Sequence, residues 1–333
     1  MSNLFPMFDE VIDEKPYRPL TDWAGKVGLA TTDTAGHAEG DIAALVTRLA
    51  VLEDRVASMN KTNVTPVVST STASVEDKAA DLVIAAGETP VTEKSTITGK
   101  SIAVKSMNVN SAIVNMTAES GDVTVTNYVS TGELSGSPAT ISINTNEYVK
   151  VSNCSFGQKS YNGLEIGLSK TAPKSVIIDN VEFGGKLKNN AISIFSHAED
   201  AVITISNCHF ADVSNCLRIS NRDNVSCTIN VINCVVDSWA AGVPTYSGFI
   251  IFQDYSSGSV EKEEANNLFG KDKITVNFIN CTGPNGKKFT DFGSSAEFCG
   301  TSNNDQLVYV WRDKSKCIVP YGDGSFYPTI NVK

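Results

Sequence analysis

Histidine is scarce in this chain: His37, His197 and His209 are the only three. No two cysteines stand in a CxxC pair, and no cysteine–histidine spacing matches a zinc site, so no metal ligand set is expected. A run of about 18 apolar residues, which a membrane-spanning helix needs, is missing too. Aspartate and glutamate outnumber lysine and arginine by 37 to 27, and the resulting charge of −10 disfavours nucleic acid and anionic bilayers as partners. There is no nucleophile elbow, P-loop, HExxH or EF-hand pattern, and no cofactor is implied. The first ten residues have no basic stretch and turn acidic where a signal peptide is apolar. The expectation is a product made in a cytosol, where eight cysteines are not a disulfide framework.

What the chain does have is a period. Two apolar residues in alternation followed by asparagine recur at Val123/Val125/Asn127, Val149/Val151/Asn153 and Val176/Ile178/Asn180. The pattern continues at Ile203/Ile205/Asn207, Ile229/Val231/Asn233 and Val276/Phe278/Asn280, with a degenerate first copy at Ile102/Val104/Ser106. The asparagine steps are 26, 27, 27, 26 and 47 residues, the long one implying an extra coil or an insertion around residues 256–267. Alternation puts both apolar residues on one face of a short strand. Asparagine tolerates the left-handed conformation that turns a chain sharply. Apolar residues resume one and three places later, as in Cys154/Phe156, Val181/Phe183, Cys208/Phe210 and Cys234/Val236.

A further apolar pair follows each corner: Ile141/Ile143, Leu164/Ile166, Ile192/Ile194, Leu217/Ile219 and Phe249/Ile251. Three short strands per coil predict an all-β chain, a single-stranded right-handed parallel β-helix over residues 88–290. Seven or eight coils at strand spacing would make a rod on the order of 35 Å long. The corner asparagines are expected at interior corners, each amide bonding those above and below. Cys154, Cys208, Cys234 and Cys281 then stack inside, one residue past the corner.

Residues 41–61 read as a short N-terminal coiled coil. Ile42, Leu49 and Val56 occupy a positions and Leu45, Leu52 and Met59 d positions, with Arg48 and Glu53 placed for interhelical pairing. The heptads alone leave dimer or trimer open. Residues 62–73 read as a linker, and residues 74–87 as a helix, opened by a capping box, that covers the solenoid's end. Residues 1–40, punctuated by Phe5, Phe8, Tyr17 and Trp23, look like a peptide that orders on a partner. Residues 291–333 leave the asparagine register and read as a cap, with Tyr309, Trp311, Tyr321 and Tyr327 as candidate ligand-binding aromatics.

Polysaccharide cleavage needs two carboxylates about 5–9.5 Å apart, and the acids on the coil strands do not cluster that way. Glu182 and His209 should stack as a surface ion pair, and Glu165 should lie on an outer face beside Ser142, Ser193 and Arg218. No catalytic residue is assigned.

This layout resembles a bacteriophage virion fibre, head fibre or tailspike, and its asparagine row at Asn153, Asn180, Asn207 and Asn233 is similar to that of pectate-lyase-like β-helices. The resemblance implies a homotrimer clasped at residues 41–61 and attached by residues 1–40 to a phage capsid or tail protein. It implies a virion location, manufacture in the host bacterial cytoplasm, and adhesion to host or environmental glycans, as on a cell surface. A tailspike-type polysaccharide depolymerase is the alternative.

Overall fold

The computed structural model describes residues 65–67, 74–85, 89–169, 171–221, 223–238, 248–253, 270, 272–291, 306–312, 315–317 and 328–333. They form one 21-stranded, almost wholly parallel sheet, which fits a stack of coils. Three columns of strands run through it.

The first column begins with β1 (Thr65–Val67), β2 (Val75–Ala85), β3 (Ser95–Asn110) and β5 (Val123–Thr126). It continues through β8 (Tyr148–Phe156), β10 (Ser175–Phe183), β12 (Ala201–Ser206), β15 (Cys227–Ile232), β18 (Ile274–Ile279) and β21 (Thr329–Val332). Ten strands at about 4.8 Å spacing extend on the order of 40 Å. Past the corner, a second column holds the ends of β3, β8 and β10 with β6 (Tyr128–Thr131), β13 (His209–Phe210) and β16 (Val235–Val236). In the third are the starts of β2 and β3, β4 (Val114–Ala118), β7 (Ala139–Asn144) and β9 (Asn162–Ile166). It ends with β11 (Leu187–Ile194), β14 (Val213–Ile219), β17 (Gly248–Phe252) and β19 (Gln306–Arg312). One pairing of named strands is antiparallel, between β19 and β20 (Ser315–Cys317).

The predicted register is observed: Val176 and Ile178 pair with Ile203 and Ile205, which pair with Ile229 and Val231. Asn127, Asn153, Asn180, Asn207, Asn233 and Asn280 all have φ between 52° and 54°. A single left-handed residue slips the in–out alternation by one. Ile205 and Cys208 therefore both face the core, while Ser206 and Asn207 between them face out.

That phase slip corrects one expectation. The corner amides are exposed on the outside, not at interior corners. They still form a row: Asn180 Nδ2 donates to Asn153 Oδ1 at 2.7 Å, Asn233 Nδ2 to Asn207 Oδ1 at 3.2 Å, and Asn280 Nδ2 to Asn233 Oδ1 at 2.9 Å. Asn207 Nδ2 turns to Asp179 Oδ1 instead. Asn207→Ala should cost about 1–2 kcal/mol, because alanine resists the left-handed conformation. Asn207→Gly keeps that conformation and should cost less than half as much. Equal urea midpoints for the two variants would show that the backbone angle is not what asparagine supplies.

Four other expectations change. Where residues 74–87 are described, they form a strand, β2, and not a helix. Leu82 and Ile84 are buried while Val83 and Ala85 are more exposed, and they pair with Ile102 to Ser106 of β3. A neighbouring strand offering a full ladder outweighs a helical pattern that Val75, Ala79 and Leu82 also satisfy. The 62–73 linker includes β1. Of the two readings of the 47-residue step, the extra coil is ruled out, since β15 pairs directly with β18. Nor does the stack end at residue 291, because β19 and β21 join β17 and β18 in parallel.

The core is a set of stacked identical positions. Phe156 and Phe183 stack at 5.0 Å between centroids, and Phe183 and Phe210 at 5.1 Å. Cys154, Cys208, Cys234 and Cys281 are buried free thiols, and each points to the carbonyl two residues earlier. Burial pushes the Cys154 thiol up to about 11, and the Cys208 thiol raises that of Cys234. Iodoacetamide at neutral pH should leave these four unlabelled in the native protein and label them in urea, as read by peptide mass mapping. Rapid native labelling would contradict the interior placement.

Candidate functional surface

Two outward regions carry polar chemistry. Along the corner, Asn153, Asn180 and Asn207 flank an open groove of about 370 Å³ that Val129, Ser155, Glu182 and His209 also line. Glu182 and His209 are register neighbours, as expected. The ion pair is a different one: His209 Nε2 lies 2.8 Å from Asp237 Oδ2, on the next coil. Both partners are largely exposed, so the contact adds little stability.

The second region is the outer side of the third column. Ser142, Glu165, Ser193, Arg218 and Ile251 occupy successive register positions, and Tyr309 pairs with Ile251 in the ladder. The first four were legible as a row, but not that the row is shielded. Ser193 is fully buried and Arg218 is 6% exposed, its guanidinium 5.1 Å from the centre of the Phe195 ring. Glu165 accepts hydrogen bonds from Asn162 Nδ2 at 2.8 Å and Ser142 Oγ at 3.2 Å. Beside it runs a buried amide row that the sequence reading missed. Asn190 Nδ2 donates to Asn162 Oδ1 at 3.3 Å, and Asn215 Nδ2 to Asn190 Oδ1 at 3.2 Å. The steps of 28 and 25 residues between these asparagines were the available signal.

Burial pushes the Glu165 carboxyl above the usual carboxylate range, opposed by the two hydrogen bonds and by the charge of Arg218. The folded protein therefore binds this proton more tightly than the unfolded chain. The resulting stability is present below the unfolded carboxylate pKa and lost as pH rises through the folded one. Glu165→Gln should thus gain on the wild type as pH rises above the unfolded carboxylate pKa. Parallel pH profiles of the urea midpoints would rule this linkage out.

Tyr309 and Trp311 lie in β19, two residues apart and so on one strand face. Tyr321 and Tyr327 fall outside the described residues. So do Ile42, Leu45, Leu49, Leu52, Val56 and Met59 of the coiled coil, and Phe5, Phe8, Tyr17 and Trp23 of the anchor. No group of three or more metal-ligating side chains occurs among the described residues. Among them, no helix is long and apolar enough to cross a membrane. Compared with family models, curated proteins and solved structures, the chain matches none.

Proposed function

We propose that this chain is a structural fibre of a phage virion. In this reading the stacked coils are a right-handed β-helix, residues 41–61 clasp a homotrimer, and residues 1–40 hold a capsid or tail protein. The fibre binds cell-surface or environmental glycan without cleaving it. The observation that supports it best is the ten-strand column from β1 to β21. A body built by repeating one coil is stiff along its axis and offers extended, regular outer faces, which suits display and adhesion.

Light scattering of the full chain at micromolar concentration should give three times 35.5 kDa. A monomer would exclude the clasp. Antibody against residues 100–290 should decorate intact particles in electron micrographs, and undecorated particles would exclude the virion location.

A depolymerase is the second reading, favoured by Glu165, whose raised proton affinity is a property of general acids. In the fibre reading, incubation with host capsular polysaccharide releases no new reducing ends. Sustained release of oligosaccharides would replace the fibre reading with the enzymatic one.

A further inference from the structure

The last three coils of the first column differ from those before them. Their outward residues repeat: Thr228, Asn230, Ile232 and Asn233 on β15 and its corner, Thr275, Asn277, Ile279 and Asn280 on the next coil, then Thr329 and Asn331 on β21. Register places like on like, Thr228 by Thr275 by Thr329 and Asn230 by Asn277 by Asn331. Asn331 Nδ2 donates to Asn277 Oδ1 at 2.9 Å, and Asn277 Nδ2 donates to Asn230 Oδ1 at 2.9 Å. This amide row runs parallel to the corner row Asn207–Asn233–Asn280, with Ile232 and Ile279 between them.

Stacking alone does not demand this pattern. On earlier coils the Asn230 position is held by Lys150, Ile177 and Thr204, and the Thr228 position by Tyr148, Ser175 and Val202, in the same unbroken ladder. The uniform array begins at β15. At its edge lies a shallow pocket of about 170 Å³ lined by Asp200, Ser226, Thr228, Asp272, Lys273 and Thr275. Ser226 Oγ donates to Asp200 Oδ1 there, and Lys273 Nζ donates to Asn224 O at 3.1 Å.

We propose that this face binds an uncharged polysaccharide chain, with the pocket holding one of its sugar residues. The inference rests on the adhesive reading above, but it moves adhesion from the C-terminal aromatics to the outer face of β15, β18 and β21. An amide has two N–H groups and an oxygen with two lone pairs. Each ladder bond uses one of these, so Asn277 keeps an N–H and a lone pair for a sugar hydroxyl. The ladder also fixes the amide in place before binding, which lowers the ordering cost. Ile279 is 37% exposed, and with the threonine methyls it supplies apolar strips for the C–H faces of sugar rings. The array itself carries no charge, and at its edge Asp200 and Asp272 outnumber Lys273, so an anionic polymer or nucleic acid is disfavoured. Each rung repeats at about 4.8 Å, so a repeating polymer can meet the same group on successive coils.

The test is saturable binding of the full chain to chitohexaose, cellohexaose and maltohexaose, with oligomeric state read by light scattering on the same samples. At least one hexasaccharide should bind. The double variant Thr275→Lys/Asn277→Lys should weaken binding tenfold or more, and Asn331→Ala several-fold. Lys150→Glu, on the same column four coils earlier, should leave it unchanged. If the double variant does not fold, as judged by its thermal melt, the exposed Asn331→Ala decides. Binding by none of the three, or binding indifferent to these changes, overturns the assignment of this face. A monomeric protein that binds and responds as described would leave the face standing and remove the fibre.

Discussion

Phe183→Ala should lower stability by about 3–5 kcal/mol, the largest loss expected from truncating one core side chain here. Phe183 has no exposed surface and is stacked between Phe156 and Phe210, nearly parallel to both at 13° and 4°. Removing it leaves a cavity and breaks two ring contacts, each worth about 0.5–1.5 kcal/mol beyond the buried area. Collapse cannot easily fill the space, because the neighbouring rings are themselves fixed by Tyr128 on one side and Phe249 on the other. In a stack, each coil contacts only its neighbours, so the damage should stay local. Hydrogen exchange should accelerate most in β8, β10 and β12. A urea midpoint implying a loss under about 1 kcal/mol would mean that the ring column is not the main support of the middle coils.

That column was legible in the sequence, since the phenylalanine three places past Asn153, Asn180 and Asn207 has only the interior to go to. The first column was legible for the same reason. Period-two valines and isoleucines ahead of a residue that accepts positive φ leave few alternatives. Side was harder than position. Whether Asn207 faces in or out depends on counting one left-handed residue into the alternation, and the outward answer follows only once Ile205 and Cys208 are both seen inside. At β2 local pattern was not decisive, because Val75, Ala79, Leu82 and Val83 share a helix face while Leu82 and Ile84 share a strand face. Its partner β3 settled the matter. β21 was hidden by distance, since 54 residues separate Asn331 from its ladder partner Asn277. The shielding of Ser193 and Arg218 was not legible at all. An alternating strand reports which residues face out, and not what lies over them.

The last expected result concerns two adjacent glycines that the sequence does not tell apart. Gly184 and Gly185 follow Phe183, on the turn into β11. A Cβ on Gly185 would stand 2.3 Å from the backbone oxygen of Gln158 and 2.7 Å from its carbonyl carbon. Those atoms cannot give way cheaply. Gln158 is fully buried, and its side chain bridges to Ala112, donating from Nε2 to Ala112 O at 3.2 Å and accepting from Ala112 N at 3.3 Å. Gly184 N donates to Phe156 O at 3.1 Å and Lys188 N to Ser160 O at 3.2 Å, so the two coils are pinned on both sides of the contact. Gly185→Ala must spread the coils or break these bonds, at a cost of about 3 kcal/mol or more. A Cβ on Gly184 meets only the tip of the Glu182 side chain, at 3.6 Å, and the position is exposed. Gly184→Ala should therefore be neutral, or stabilising by about 0.4–1 kcal/mol through the loss of unfolded-chain freedom. Side-by-side urea titrations should separate the two variants by several kcal/mol, on the order of 3–4. Similar midpoints for both would mean that the coils are not held this close at the turn, and that the spacing between Gln158 and Gly185 has slack to absorb a methyl group.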